Sequence, residues 1–312
     1  MQYYMAPLEG ITTWVFRKAY HACFRPMDKY FTPFLVPHER GSFTHKEENE
    51  ILPEHNQGQK LVPQIMTNRA ADFVRTARAL EEYGYEEVNL NLGCPSGTVV
   101  SKGRGAGFLR DAEELDRFFD QVFSEIGVKV SVKTRIGLQQ PEEFEDLLKV
   151  YNRYPLEELI IHPRVRQDFY KNHPNMEVFG MAVRESANPL CYNGDLCRTE
   201  EIAAFHQAFP EVEAVMIGRG ILKNPGLVGE AEGRGAADAL SLRTFHDRIY
   251  QEYLSLMPGD KNTVFKMKEL WSYLGTILEN SEKCWKKIKK AQTCADYEAA
   301  VENAFRNFPE GS

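Results

Sequence analysis

The chain has 312 residues, 43% of them hydrophobic and 27% charged, and carries a formal charge of -7. Its length exceeds one minimal domain and suits a barrel of about 250 residues with a small appendage, while its apolar content excludes a mostly disordered chain. The acidic balance excludes a uniformly basic surface but leaves room for a local basic face.

From residue 1 to about 235, a short β-prone run, a loop with Gly, Pro or Asn, and an amphipathic segment alternate, the pattern of βα units. The first strand, YYMAP at 3–7, leads to a helix over 12–24. The second covers 29–36 and opens into a long connection, 37–60, with room for one short helix. The third, LVPQIM at 61–66, precedes a helix over 68–84 with Asn68 at its N-cap and Gly84 just past its end. The fourth, EEVNLNL at 86–92, runs into Gly93, Cys94 and Pro95, and the next helix, 111–127, is capped by Asp111 and closed by Gly127.

VKVSVKT at 128–134, LEELIIH at 156–162, NPLCYN at 188–193 and VEAVMIG at 212–218 complete the strands. Helices over 141–154, 175–186, 199–209 and 221–231 follow them in turn, Thr199 standing as an N-cap. Eight strands with intervening helices favour an α/β fold of the (β/α)8 TIM-barrel type over an open doubly wound sheet, which has about five or six strands. Residues 231–238, AEGRGAAD, read as a linker, and segments 242–257, 264–278, 284–291 and 295–308 read as four helices. The expected organisation is a catalytic barrel at 1–235 and a small C-terminal helical bundle at 240–312.

Within residues 261–290 eight lysines face only three glutamates, Glu269, Glu279 and Glu282, which makes the tail the expected basic face. Nothing matches the run of about 18 apolar residues that a membrane span needs, and the N-terminus has no leader pattern, so a cytoplasmic location is expected. The six cysteines form no Cys-x-x-Cys pair, which fits a reducing compartment with neither disulfides nor a bound metal.

The residues at the ends of the strands carry the chemistry. Ala6 and Pro7; Gln64; Asn89, Asn91 and Cys94; Lys133 and Arg135; His162 and Arg164; Asn193, Gly194 and Asp195; and Gly218, Arg219 and Gly220 would surround one mouth. Barrel packing asks for apolar layers, so this polar convergence marks a pocket. YNGD at 192–195 and IGRG at 217–220 would bring backbone N–H groups to an anion, with Arg219 as a positive fork and a phosphate against the helix starting near Ile221. Lys133 would project into an apolar ring unless bound, which suits a planar, electron-rich cofactor.

Gly93 allows an unusual backbone angle and Pro95 restricts the next, so Cys94 is expected to project rigidly from the mouth, whereas the other five cysteines fit packing roles. The residues alone leave open whether this thiol attacks, donates a proton or is redox-active. With an ordinary pKa near about 8.5 it is largely protonated at neutral pH and able to act as a general acid.

MAPLEGITTWVFR at 5–17, NLNLGCPSGTVVSKGRGAGFL at 89–109, VSVKTRIG at 130–137, IIHPR at 160–164, YNGD and AVMIGRG at 214–220 resemble, in order, segments of the tRNA-dihydrouridine synthase family. KMKELWSYLG at 266–275 is similar to that family's RNA-binding domain. The resemblance implies an FMN-dependent oxidoreductase, reduced by NAD(P)H with NADPH favoured, that converts selected tRNA uridines to dihydrouridine. It implies hydride from reduced FMN to C6 and a proton from Cys94 to C5. By the same resemblance Ala6 and Pro7 touch the isoalloxazine, Gln64, Lys133 and His162 bind the flavin, and Asn193, Gly194, Gly218 and Arg219 hold its phosphate. Asn91 would orient the uracil, and Arg164, Arg166, Lys286, Lys287, Lys289 and Lys290 would supply surface for tRNA to a monomeric enzyme.

The chain departs from the family pattern at Pro163 and Val165, where His-Gly-Arg-Thr is usual, and at Thr13, where aspartate is common. Two alternatives remain at this level. One is an FMN-dependent dehydrogenase of a free pyrimidine, similar to dihydroorotate dehydrogenase, which needs no lysine-rich tail. The other is a non-catalytic RNA-binding protein on a retained barrel, which would carry no flavin.

Overall fold

Proline has no N–H to give to a sheet ladder, and Pro63 divides the expected third strand into two pieces, each pairing with a different neighbour. In the computed structural model, which describes residues 1–38, 43–277 and 281–306, the strands are β1 (Gln2–Met5), β2 (Lys29–Phe31), β3 (Leu61–Val62), β4 (Gln64–Ile65), β5 (Glu87–Leu92), β6 (Lys129–Arg135), β7 (Glu158–His162), β8 (Leu190–Tyr192) and β9 (Ala214–Ile217). All neighbours are parallel, in the order β3-β2-β1-β9-β8-β7-β6-β5-β4. The two ends of that order, β3 and β4, are separated in the chain only by Pro63, so the sheet returns on itself as a near-closed parallel barrel flanked by helices.

The pleat sends alternate side chains inward. Tyr4, Ala6, Phe31, Val62, Ile160, Cys191, Ala214 and Met216 form a small apolar cluster inside the ring, and the larger core lies between strands and helices. Register sets Asn91 beside Lys133 and Arg135 beside His162 at the C-terminal ends of the strands, above that apolar layer. The N-terminal ends are closed by a second polar layer, in which Lys29 Nζ lies 2.9 Å from Glu87 Oε2 and Tyr4 Oη donates to Glu158 Oε1 at 2.9 Å. Burial pushes the Glu158 carboxyl up to about 7 against the attraction of Lys29. A wide cavity opens at this end, but its buried polar groups mostly serve one another.

Several local expectations change. Asp111 caps its helix as expected, accepting from the N–H groups of Glu113 and Glu114, and Gly84 takes φ 89°. Asn68 and Thr199 are not caps: the helices Ala70–Glu82 and Thr199–Ala208 are preceded by Arg69 and Arg198, and the Glu201 carboxylate accepts from Arg198 N instead. Gly127 is not in the left-handed region, because the preceding helix already ends at Glu125. The expected helix over 221–231 breaks at Asn224 and Pro225 into Arg219–Lys223 and Leu227–Ala231, as proline requires. The second strand is shorter than 29–36, with Leu35 making only an isolated bridge to Ile65.

The first barrel helix, Trp14–Cys23, is held by a buried ion pair. Arg17 Nη1 lies 2.8 Å from Glu50 Oε2, which also accepts from Trp14 N, while Arg17 Nη2 donates to Glu50 O and Asn56 Oδ1. Helices Ala239–Leu256, Asp260–Leu274, Ser281–Lys290 and Cys294–Arg306 follow the barrel. The first of them packs on Trp14–Cys23 through Phe245, whose ring meets Phe16 and Phe24 edge-on at 5.3 Å each, and Trp271 Nε1 donates to the buried Tyr297 Oη at 2.7 Å in their midst. Thr13, where the family pattern has aspartate, shares a hydrogen bond with Tyr253 across this junction. No described helix is long and apolar enough to cross a membrane, and no described cluster of His, Cys, Asp and Glu could hold a metal.

Removing one partner of a buried, hydrogen-bonded ion pair leaves the other charge stranded. Glu50→Ala is expected to lower unfolding free energy by about 3–5 kcal/mol in urea titration, and Arg17→Met with Glu50→Met together by less than Glu50→Ala alone. Equal losses would show that the stranded charge is not the source.

Candidate active site at the barrel mouth

Asn91, the last inward residue of β5, organises the turn that follows it. Its Oδ1 accepts from Gly93 N at 3.1 Å and from Cys94 N at 3.0 Å, so the chain is folded over the carboxamide. The amide is itself oriented from behind: Asn91 Nδ2 donates to Gln64 Oε1 at 2.7 Å, Gln64 Nε2 to Asn89 Oδ1 at 2.8 Å, and Asn89 Nδ2 to Ser131 Oγ at 3.0 Å. Both lone pairs of Asn91 Oδ1 are used, and one Nδ2 hydrogen is left for a ligand.

Three further bonds pin the thiol turn. Arg135 Nε donates to Gly93 O at 2.9 Å, Ala106 N to Cys94 O at 3.1 Å, and Arg166 Nε to Pro95 O at 3.2 Å. Gly93 does not adopt a positive φ, contrary to the expectation, and a Cβ there would come no closer than 3.7 Å to Lys133 O. The glycine the turn needs is Gly105, at φ 54°, where a Cβ would lie 2.9 Å from Cys94 O. Cys94 is half-buried, and burial pushes its thiol above the ordinary value although a backbone N–H at Ser96 and the cations Arg135 and Lys133 oppose it. The group in the mouth is therefore a neutral thiol.

Two adjoining cavities occupy the mouth. One is lined by Gln64, Asn91 and Cys94, the other by Asn193, Gly194, Gly218 and Arg219, and both by Pro7, Lys133, His162 and Tyr170. Lys133 has no carboxylate within ion-pair distance among the described residues, and burial followed by repulsion from Arg135 draws its ammonium down to about 8. An unpaired cation inside a barrel is costly without an anionic partner. His162 is held well below its usual value by burial and by Arg135, Lys133, Arg164 and Arg219. Arg164 Nη1 lies 2.9 Å from His162 Nε2, and since arginine can only donate, the neutral ring carries its proton on Nδ1.

The glycine-rich side of the mouth is tightly drawn. A Cβ at Gly194 would fall 1.9 Å from Tyr192 Oη, and one at Gly220 would fall 2.1 Å from Leu196 O, whereas one at Gly218 would only reach contact with Ala6 at 3.4 Å. Asn193 Nδ2 donates to Met216 O, leaving its carbonyl free. Arg219 Nη2 lies 2.6 Å from Asp195 Oδ1, and Arg164 bonds both oxygens of the same carboxylate. Although burial pushes it up, the two guanidinium groups hold the Asp195 carboxyl below its usual range. The helix at this corner, Arg219–Lys223, is a single turn, so an anion here depends on Arg219 and loop N–H groups rather than on a helix dipole. Together the two cavities offer an anion corner, a lone cation, a neutral imidazole and a neutral thiol: equipment for a phosphorylated planar ligand beside a proton donor.

The structure brings together Ala6, Pro7, Gln64, Asn91, Cys94, Lys133, His162, Asn193, Gly194, Gly218 and Arg219 around these cavities. Arg164 is not among the surface groups expected to meet a large ligand: it is 1% exposed and spent on Asp195, His162 and Asn172 O, positioning them. Arg166 stands half-buried at the rim, and Lys286, Lys287, Lys289 and Lys290 are exposed on Ser281–Lys290. Sequence pattern does not single out Tyr170. Its ring lies 4.9 Å from the Arg219 guanidinium, 5.4 Å from that of Arg135 and 6.0 Å from the His162 ring, and the only signal for it in the chain is an aromatic pair in a polar loop.

Comparison with known proteins gives one family and one fold. The family model described as "Dihydrouridine synthase (Dus)" matches residues 4–308. A "Probable tRNA-dihydrouridine synthase" of Staphylococcus aureus is 29% identical over 259 residues, covering 80% of this chain and 77% of that protein. "Probable tRNA-dihydrouridine synthase 2" of Bacillus subtilis is 27% identical over 260 residues, with 80% and 78% covered. Among solved structures, the old yellow enzyme from Trypanosoma cruzi superposes with a TM-score of 0.54 at 11% identity, covering 79% of this chain and 92% of that one, and morphinone reductase with 0.52 at 13%, covering 78% and 90%. At such identities these structures support the fold alone.

A buried neutral thiol alkylates slowly until pH exceeds its raised pKa. Peptide-resolved iodoacetamide labelling of Cys94 is expected to reach half its limiting rate above about pH 8.5, the value of an ordinary cysteine; a midpoint below neutrality would mean that Arg135 and Lys133 outweigh burial.

Proposed function

Because the chain belongs to the dihydrouridine synthase family, we propose that it reduces the C5–C6 double bond of selected tRNA uridines, with Cys94 supplying the proton to C5. The observation that carries this reading is the neutral Cys94 thiol, on a turn pinned through its backbone by Asn91, Arg135, Ala106 and Arg166, in a mouth that also contains an unpaired Lys133. A general acid must still hold its proton at working pH, and a raised thiol pKa meets that condition. The finer fold assignment, a (β/α)8 barrel at 1–235 with a separate tRNA-binding helical domain at 240–312, belongs to the same proposal.

The residues fit FMN. Lys133 lacks an anion, Arg219 and the loop at Gly194 suit a phosphate, and Ala6 and Pro7 offer a small apolar wall. In this reading Gln64, Lys133 and His162 bind the ring, and Asn193, Gly194, Gly218 and Arg219 its phosphate. When bound and reduced by NADPH, FMN would supply the hydride, hydrogen with its electron pair, that uridine C6 receives. Lys133 and the Nδ1–H of His162 offer positive charge and a donor to a ring that gains negative charge. The one free Nδ2 hydrogen of Asn91 can donate to a uracil carbonyl, which orients C5 toward the thiol. After Cys94 gives up its proton, Arg135 and Lys133 stabilise the thiolate until solvent returns one.

A base inside folded tRNA must leave its stack to enter such a mouth, so recognition of the surrounding RNA falls on its shape and phosphates. The exposed Lys286, Lys287, Lys289 and Lys290 suit that task. Arg166 remains at the rim for the RNA to meet, and Arg164 acts through Asp195 and His162 instead.

Cys94→Ala is expected to keep FMN and tRNA binding and to undergo flavin reduction, but to lose about 100-fold or more in dihydrouridine formation measured by nucleoside mass spectrometry. Unchanged turnover would remove Cys94 from the chemistry. Reversing charge at Lys286, Lys287, Lys289 and Lys290 is expected to weaken tRNA binding and flatten its dependence on salt by about one unit of logarithmic slope for each phosphate that is no longer neutralised. An unchanged slope would put the RNA on another face.

A further inference from the structure

Among the described residues, Phe169 is the one non-glycine residue with positive φ, at 50° with ψ -97°. A side chain with a Cβ adopts that region only where its surroundings hold it there. The holding is on the backbone: Arg135 Nη2 donates to Phe169 O at 2.8 Å, and Phe169 N donates to Arg166 O at 3.2 Å. Neither bond involves the ring. Glycine would take the same backbone without strain, so the main-chain path gives no reason for a phenyl group at this position.

The interior gives none either. Phe169 is 40% exposed and lies outside the apolar core, and the Arg166 guanidinium stands 5.2 Å from its ring centre. Arg166 also donates to Pro95 O, and Arg135 joins Gly93 O to Phe169 O, so the ring through Arg166 and the backbone through Arg135 are both linked to the turn that carries Cys94. The two loops that meet here hold Lys102, Arg104, Arg166 and Lys171, none with a carboxylate in ion-pair range among the described residues. A half-exposed aromatic ring on a strained backbone, backed by a guanidinium and carried by loops that hold further unpaired cations, matches a single-stranded polyanion with stacking bases.

We infer that Phe169, with Arg166 behind it, is a stacking platform for the nucleobase next to the target uridine, while the loop cations meet the adjoining phosphates. The inference rests on the tRNA reading above and names the part of that substrate the rim recognises. Withdrawing a uridine from its stack leaves the neighbouring base with one bare face. An aromatic plane fixed beside the mouth covers that face for any base, because stacking asks for no particular hydrogen-bonding edge.

The test compares Phe169→Gly and Phe169→Tyr with the wild-type holoenzyme on the same tRNA transcript. Phe169→Gly is expected to retain FMN and to melt about 3 °C higher, as strain is relieved, yet to raise KM for tRNA about tenfold, the loss falling on KM rather than kcat. Phe169→Tyr should restore KM. Wild-type KM in Phe169→Gly overturns the platform and leaves the enzymatic reading standing, and a lower melting temperature together with lost binding overturns it in favour of a packing role. If the wild type itself forms no dihydrouridine, the tRNA reading fails first and the platform with it.

Discussion

One carboxamide sets the geometry of the mouth. Asn91 Oδ1 takes the N–H groups of both Gly93 and Cys94, and its own orientation is set through Gln64 and Asn89 as far as Ser131. The thiol is therefore positioned by strand residues rather than by a free loop. Sites built on regular elements keep their geometry because neighbouring ladders resist movement. Arg135 extends the same order outward, bonding Gly93 O, Val165 O and Phe169 O, so the thiol turn and the loop after β7 form one piece.

The inside of this barrel inverts the usual layering of a core. A thin apolar layer around Tyr4, Phe31, Ile160 and Met216 separates two polar ends with opposite behaviour. At the N-terminal end, Lys29, Glu87, Glu158 and Tyr4 pair mainly with one another beneath an open cavity. At the C-terminal end, the cations Lys133, Arg135, Arg164 and Arg219 are opposed chiefly by Asp195, which pairs only with Arg164 and Arg219. Positive charge is thus left over where a ligand can enter. Burial keeps both the imidazole and the thiol neutral in that field: the surrounding cations reinforce it at His162, and at Cys94 desolvation outweighs their pull toward the thiolate.

The strand ends are readable in the chain because barrel topology gathers them at one mouth whatever their distance in sequence. Alternation in EVNLNL and KVSVKTR already marks Asn89, Asn91 and Lys133 as one face. What cannot be read is which glycine serves which purpose. Gly93 stands beside the cysteine and is the natural candidate for a special angle, yet the crowding is at Gly105, further along a stretch of chain that folds back under Cys94 O. Arg164 is similarly opaque, since its neighbours in sequence do not reveal that Asp195 lies across the mouth to bury it.

The sequence by itself determined the period of the elements, the polar face of each strand and the family to which the motifs correspond, because these depend on residue type and spacing along the chain. The tertiary structure alone decided that Arg164 is interior and Arg166 at the rim, that Asn91 rather than Gly93 shapes the thiol turn, and that Cys94 stays protonated. The physical reason is the same in each case. Burial and hydrogen-bond partners come from residues distant in the chain, and only their arrangement around the near-closed barrel sets the balance between desolvation and charge.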